Sequence, residues 1–210
     1  MEAKDFFQQY QIIRTEDELC RALAAFAELT RPLQRSAPKT ERMDRFMAEF
    51  GHPETALRVI HLAGTSGKGS TTTFIAALLQ SQGFRVGMTV SPHVRSLRER
   101  IQIDGVPISI QDLSRLVEEA FAVFVRRLEN KGELLHYFEL MTALALLWFA
   151  RQNVAYAVIE TGLGGRFDAT NVIRQSSKFC VFTPIDLDHH RLLGNTRTEI
   201  ATEKSGILAP

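Results

Sequence analysis

Apolar positions along this chain switch between two periods, and the switches mark out its elements. Thr15 with Glu18 three residues on forms a capping box, and Leu19, Leu23, Phe26 and Leu29 then recur at helical steps. Thr40 is the expected cap of a second short helix carrying Met43, Phe46, Met47 and Phe50, with Pro32 and Pro38 breaking the chain between the two. Gly51-His52-Pro53 closes this helical lead-in, 1–53. Short apolar runs then alternate with longer helical ones. The pattern predicts strands over 58–63, 85–90, 155–160 and 178–183, and helices over 70–82, 109–130, 138–152 and 198–204. Gly83 and Lys131-Gly132 are the expected helix exits, and Asp104-Gly105 the turn of a small hairpin inserted near 100–108. The alternation predicts an α/β fold, a mostly parallel sheet with flanking helices. Ligands of such sheets sit beyond the carboxyl ends of the strands, which here means the loops 64–69, 91–99, 160–171 and 184–195.

Composition narrows the class. The 210 residues are 45% hydrophobic and 23% charged, the balance of a globular chain. A formal net charge of +1 lacks the basic excess of a dedicated nucleic-acid or membrane binder, so neither partner is expected. Cys20 and Cys180 have no metal-type spacing, and a chain so poor in cysteine suits a reducing cytoplasm. The charged N-terminus has no signal-peptide core, and the longest apolar stretch, 140–150, is too short for a bilayer and reads as a buried helix.

The segment Gly64-Thr65-Ser66-Gly67-Lys68-Gly69-Ser70-Thr71 follows the apolar run 57–60 and opens a helix. A Gly-rich strand-to-helix turn with one lysine is how a chain cradles phosphate: backbone N–H groups point at the anion and the lysine adds a point charge. The segment departs from the general phosphate-loop pattern, with Leu62 where a glycine is usual and Gly69 where Ser or Thr follows the lysine. The alternative is a Gly-rich turn without a ligand, but a lysine between two glycines has little structural purpose. A nucleoside triphosphate is the expected ligand.

Three further groups fall in the same set of loops. Glu160 ends an apolar strand, the place for a carboxylate that holds Mg²⁺, or else faces solvent. The Gly-dense run 161–166 and the polar turn 168–171 follow it, a loop composition of low structural value that points to ligand contact. Ser91, in Ser91-Pro92-His93, ends another strand within reach of the same metal, although Ser-Pro is also an ordinary turn. In Asp186-Leu187-Asp188-His189-His190 one histidine is expected at the metal–phosphate centre; a Zn²⁺ site is the less fitting alternative, since adjacent histidines point apart and no cysteine accompanies them. Arg95, Arg98 and Arg100 either pair with an anionic substrate or lie in water. His52, His61 and His136 read as structural histidines, His136 lying just before a candidate substrate wall.

The motifs 64–70, 91–93, 99–101 before 104–105, 138–142, 160–171, 188–194 and 203–207 occur in an order that resembles bacterial dihydrofolate synthase/folylpolyglutamate synthase, a branch of the Mur ligase superfamily. That resemblance covers roughly residues 40–210. It implies a P-loop NTPase-like Mur ligase central domain at 54–210 and an ATP-dependent ligase. A substrate carboxylate attacks the γ-phosphate, and the amino group of L-glutamate displaces phosphate from the acyl phosphate. The substrate is dihydropteroate, a reduced folate, or both. Carried over residue by residue, Lys68, His189 and Lys204 are catalytic, and Gly64, Thr65, Ser66, Gly67, Gly69, Ser70 and Thr71 join Lys68 around the phosphates. Ser70, Ser91 and Glu160 hold one Mg²⁺, and His189 and a carbamylated Lys204 a second. Pro92, His93, His136, Phe138, Asp168 and Ala169 form the pterin wall, with the loop 91–99 closing over it. Ser66, Thr161 and Ser205 stand where the family usually has Asn, Val and Ala, mild changes. The resemblance also implies a monomer in the cytoplasm. Family members are longer, so the chain is read as an N-terminal portion lacking the C-terminal domain, expected to have little or no ligase activity alone. The alternatives are a Mur ligase acting on a UDP-sugar peptide precursor and a non-catalytic nucleotide-binding module.

Overall fold

The computed structural model describes residues 6–7, 9–10, 12–30, 39–129, 134–175 and 177–208. Its strands are β1 (Val59–Ala63), β2 (Val86–Thr89), β3 (Gln102–Ile103), β4 (Val106–Pro107), β5 (Tyr156–Glu160) and β6 (Phe179–Phe182). Among the described residues they form one sheet in the order β4-β3-β2-β5-β1-β6. β2, β5, β1 and β6 are parallel, with Leu62 opposite both Glu160 and Val181, and β3 and β4 add an antiparallel hairpin. The hairpin turn is as expected, both Asp104 and Gly105 having positive φ. The sheet runs from β1 outward to β2, back to β5 and then across to β6. The loops after β1, β5 and β6 are therefore neighbours at one end, the switch point where open α/β sheets bind ligands.

Side chains alternate across the sheet. Leu62, Val86, Met88 and Val158 pack with Ala76 of α3 (Lys68–Ser81) on one face. Val59, Ala157 and Ile159 join the larger core on the other face, where α4 (Ile110–Glu129) and α5 (Tyr137–Arg151) lie. The lead-in helices α1 (Glu16–Thr30) and α2 (Lys39–Ala48) are continuous with that core. Phe6, Phe7, Phe26, Phe46, Phe121 and Phe124 form a ring cluster at its centre, with Phe26 stacked on Phe124 at 5.3 Å. A buried bidentate pair, Arg42 Nη2 to Glu139 Oε1 at 2.6 Å and Nε to Oε2 at 3.1 Å, ties α2 to α5.

The capping box at α1 is present, Thr15 Oγ1 accepting from the Glu18 N–H and Glu18 Oε2 from the Thr15 N–H. Four boundaries differ from expectation. α2 starts at Lys39, so Thr40 lies inside it rather than capping it. α3 starts at Lys68, because Gly67 at φ 77° ends the loop and the helix takes up the lysine at once. α7 (Arg197–Ser205) starts on Thr196, whose hydroxyl accepts from the Glu199 N–H, a capping box the hydrophobic pattern does not show. The expected loop 184–195 contains a short helix, α6 (His190–Leu193). Gly83 ends α3 at φ 81°, whereas Pro32, Pro38 and Lys131-Gly132 lie outside the described residues. Among the described residues no helix is long and apolar enough to cross a membrane.

Candidate active site

The loop 64–67 joins the carboxyl end of β1 to α3. Thr65 and Ser66 do not leave their backbone N–H groups free: both donate to the Pro184 carbonyl, at 2.9 and 3.4 Å. Thr65 Oγ1 also exchanges hydrogen bonds with the Asp186 backbone. These bonds fasten the loop after β1 to the loop after β6. The free donors lie one step later, at Lys68, Gly69 and Ser70, whose N–H groups open α3 and have no intrahelical partner by helix geometry. Thr71 already donates to Gly67 O and is inside the helix.

Two lysines converge on this loop from different elements. Lys68 Nζ donates to Gly64 O at 3.1 Å and Thr65 O at 3.3 Å. Lys204, on α7, is 4% exposed and donates to the same Gly64 O at 2.7 Å. Although it sits on a short helix at the edge of the fold, Lys204 is therefore no surface lysine. Burial and the Lys68 charge hold its pKa below the ordinary lysine value, opposed by Asp188 and Asp168. What brings α7 in is the Gly-rich loop. A Cβ on Gly165 would stand 2.5 Å from Lys204 O and one on Gly162 would run into the Phe138 ring, and the Arg166 N–H donates to Glu203 O at 2.8 Å. The expectation of a loop of low structural value is thus corrected: its glycines let the chain pass flush between α5 and α7.

Glu160 is buried at the end of β5. Its Oε2 accepts from the Ser91 N–H at 3.0 Å and lies 3.5 Å from where a Cβ on Gly69 would be. Burial raises its pKa, opposed by the Ser91 N–H and by Lys68 and Arg100. A buried carboxylate beside a lysine and the start of a helix is an oxygen donor set suited to Mg²⁺, which keeps few protein ligands and completes its shell with phosphate and water. No three His, Cys, Asp or Glu side chains converge on a metal position among the described residues. His189 is exposed, its Nε2 lying 3.6 Å from Asp188 Oδ2 rather than inside the site. Asp186 is bound to Arg197 at 2.8 Å.

Beside this centre is a cavity of about 340 Å³ lined by Ser91, Pro92, Arg100, Phe138, Asp168 and, unexpectedly, Lys39, with Gly162 and Leu163. Ser91 borders both it and Glu160. Arg100 was open between substrate and solvent; it faces the cavity, lies over the Tyr137 ring at 5.6 Å and donates to His93 Nδ1 at 2.9 Å. Lys39 carries no local signal, since nothing in its neighbours marks it as facing a cavity. Three expected wall residues do not line this cavity. Ala169 is fully buried, His136 starts α5 with its N–H on Glu139, and His93 lines a separate cavity against α1. The loop 91–99, expected to close over the substrate, is bonded within itself and to α1. Glu99 accepts from the N–H groups of Val94, Arg95 and Ser96, which lowers its pKa, and the Ser96 hydroxyl donates to Glu16 on α1.

No family model matches the chain. The dihydrofolate synthase/folylpolyglutamate synthase of Bacillus subtilis (strain 168) is 45% identical over 174 residues, covering 81% of this chain and 40% of that protein. A solved FPGS-AMPPCP-folate complex superposes with a TM-score of 0.79 at 36% identity, over 89% of this chain and 46% of that one. E. coli FolC in complex with DHPP and ADP superposes with a TM-score of 0.76 at 32% identity, over 88% and 43%. The chain thus spans less than half the length of each of these proteins.

Proposed function

Because this chain is homologous to the N-terminal portion of the dihydrofolate synthase/folylpolyglutamate synthases, we propose that it supplies the phosphate cradle and pterin site of an ATP-dependent amide ligase. The reaction joins L-glutamate to dihydropteroate, to folyl(poly)glutamate, or to both. The observation that carries this reading is a single shared centre. Lys68 and Lys204 both bond Gly64 O, Glu160 lies against Gly69 and the Ser91 N–H, and Ser91 also borders the adjoining cavity.

The N–H groups opening α3 bind the phosphates, and Lys68 turns from its own loop carbonyls to them. This is charge neutralisation and positioning, which phosphoryl transfer mostly requires. Glu160, Ser70 and Ser91 would hold a first Mg²⁺, which would supply charge neutralisation at the phosphates; the raised Glu160 pKa would make that binding weaken as pH falls. The lowered Lys204 pKa raises the share of neutral amine, the form that CO₂ requires. The nitrogen lone pair would form an N–C bond as one C=O π pair of CO₂ moves onto oxygen, the nitrogen would lose a proton to water, and an anionic carbamate would stand where the lysine was. That carbamate would hold a second Mg²⁺ together with His189, which is exposed here and would have to turn toward Lys204. Phe138 offers a ring face to the pterin, Asp168 an acceptor, and Arg100 and Lys39 positive charge to the substrate's carboxylate. The protein acts as a cytoplasmic monomer.

The test is ADP release with ATP, Mg²⁺ and L-glutamate, from the chain and from its complete reading frame, with dihydropteroate, with reduced folate, or with neither. Release that requires a pterin substrate and is lost in Lys68→Ala supports the reading. No pterin-dependent release from the complete reading frame, with UDP-sugar peptide substrates active instead, overturns it.

A further inference from the structure

We propose that His61 is a positioning residue for the substrate cavity, fixing through Thr170 the carboxylate of Asp168 that lines it. The proposal rests on the reading of that cavity as a pterin site. His61 is in the middle of β1, between β5 and β6, with its side chain fully buried. An apolar residue would satisfy the alternation there, and a buried imidazole is costly unless bonded. Its Nε2 is 2.7 Å from Thr170 Oγ1, and Thr170 Oγ1 is 2.6 Å from Asp168 Oδ1.

The direction of this wire follows from proton counting. A carboxylate only accepts, so the single Thr170 hydroxyl proton goes to Asp168. The Thr170 oxygen must then accept, and His61 carries its proton on Nε2. With that lone pair occupied, the hydroxyl is directed at Asp168. His61 Nδ1 has no partner among the described residues, so the ring's one polar bond is the one to Thr170. Burial and the Lys178 charge push its pKa down to about 3, which keeps the ring neutral and this pattern intact at neutral pH.

Asp168 uses the wire to face the cavity in one orientation. Oδ1 takes the Thr170 N–H at 3.0 Å as well as the hydroxyl, and Oδ2 takes the Leu163 N–H at 2.9 Å. A carboxylate has roughly four acceptor positions, so one on Oδ2 is left for a donor in the cavity. The amino and ring N–H groups of a pterin are donors of that kind. His61 touches neither ligand nor cavity; it acts only by setting the angle of this acceptor.

The test compares His61→Leu, which cuts the wire, with His61→Gln, whose amide N–H keeps a donor near the Nε2 position. Thr170→Val and Thr170→Ser repeat the comparison from the middle member in case His61→Leu does not fold. Affinities for dihydropteroate and for AMPPCP are measured by calorimetry on the same samples of the complete protein. The expected result is a loss of about tenfold in dihydropteroate affinity for His61→Leu and Thr170→Val. His61→Gln and Thr170→Ser should stay near wild type, and AMPPCP binding should be unchanged in all four. Equal dihydropteroate affinity across the four, or parallel loss of both ligands, overturns the proposal. If wild type binds AMPPCP but no pterin, the pterin reading fails separately. The wire is then judged by ring ¹⁵N NMR and the Asp168 carboxyl ¹³C signal. A proton on Nδ1, or an Asp168 signal unmoved by His61→Leu, overturns it.

Discussion

The phenylalanine cluster between α4 and the N-terminal helices and the strand ends around Gly64 are both buried, yet they are built on opposite terms. In the cluster, rings meet rings at 5.0 to 6.4 Å and the enclosing side chains are apolar. At the strand ends two lysines share one carbonyl, a carboxylate is buried, and the hydroxyls of Thr72, Thr161 and Thr183 have no hydrogen-bond partner among the described residues. The first region is a place where burial is its own reward. In the second, polar groups are held out of water and incompletely matched, which is the condition for binding an anion and a metal tightly.

That contrast can be broken from either side. The largest effect is expected in the cluster. Phe124→Ala should cost about 3–5 kcal/mol of stability by urea unfolding, with AMPPCP affinity of the folded fraction unchanged; loss of both together would mean that the two regions are not separable. Acid comes next. The folded His61 pKa, about 3, lies below the ordinary 6.5, so the unfolded chain takes up the proton first. Stability is therefore present above pH 6.5 and should fall as pH drops toward 3, by about 1.4 kcal/mol per pH unit. His61→Gln should flatten that part of the pH profile.

Lys68→Ala should weaken AMPPCP binding by about 10- to 100-fold, the loss of charge-assisted bonds to phosphate, while leaving the melting temperature within a few degrees. The smallest change sharpens the contrast most. Glu160 has a raised pKa because its charge is buried, so its ionised form costs stability at neutral pH and that cost is relieved as pH falls through the folded pKa. Glu160→Gln should leave the melting temperature equal or slightly higher and weaken the Mg²⁺ dependence of AMPPCP binding. A clear drop in melting temperature would instead assign Glu160 a structural role.

Much of this was legible in the chain because it depends on neighbours in sequence. Helix caps such as Thr15–Glu18, the strand alternation, the Asp104-Gly105 hairpin and the loop 64–70 are set by contacts within a few residues, and local pattern reports them. The misreadings share the opposite property. The glycines at 162 and 165 look like freedom in sequence and are clearance in space, for the Phe138 ring and the α7 backbone. Thr65 and Ser66 look like phosphate donors, but their N–H groups go to Pro184, more than a hundred residues away. Lys39 and Arg100 enter the cavity wall only once α2 and the segment that follows β2 are packed around the turn after β5.

By itself, then, the sequence determined the α/β class, the position of each major element and the Gly-rich turn from β1 into α3, since backbone geometry and periodicity are local matters. Only the tertiary structure decided which buried polar groups meet. Lys204 and Lys68 lie on the same carbonyl, and His61 is bonded through Thr170 to Asp168, because the strand order places the loops after β1, β5 and β6 side by side. A pairing across a hundred residues leaves no periodic trace in the chain; it exists only when the sheet has closed its register.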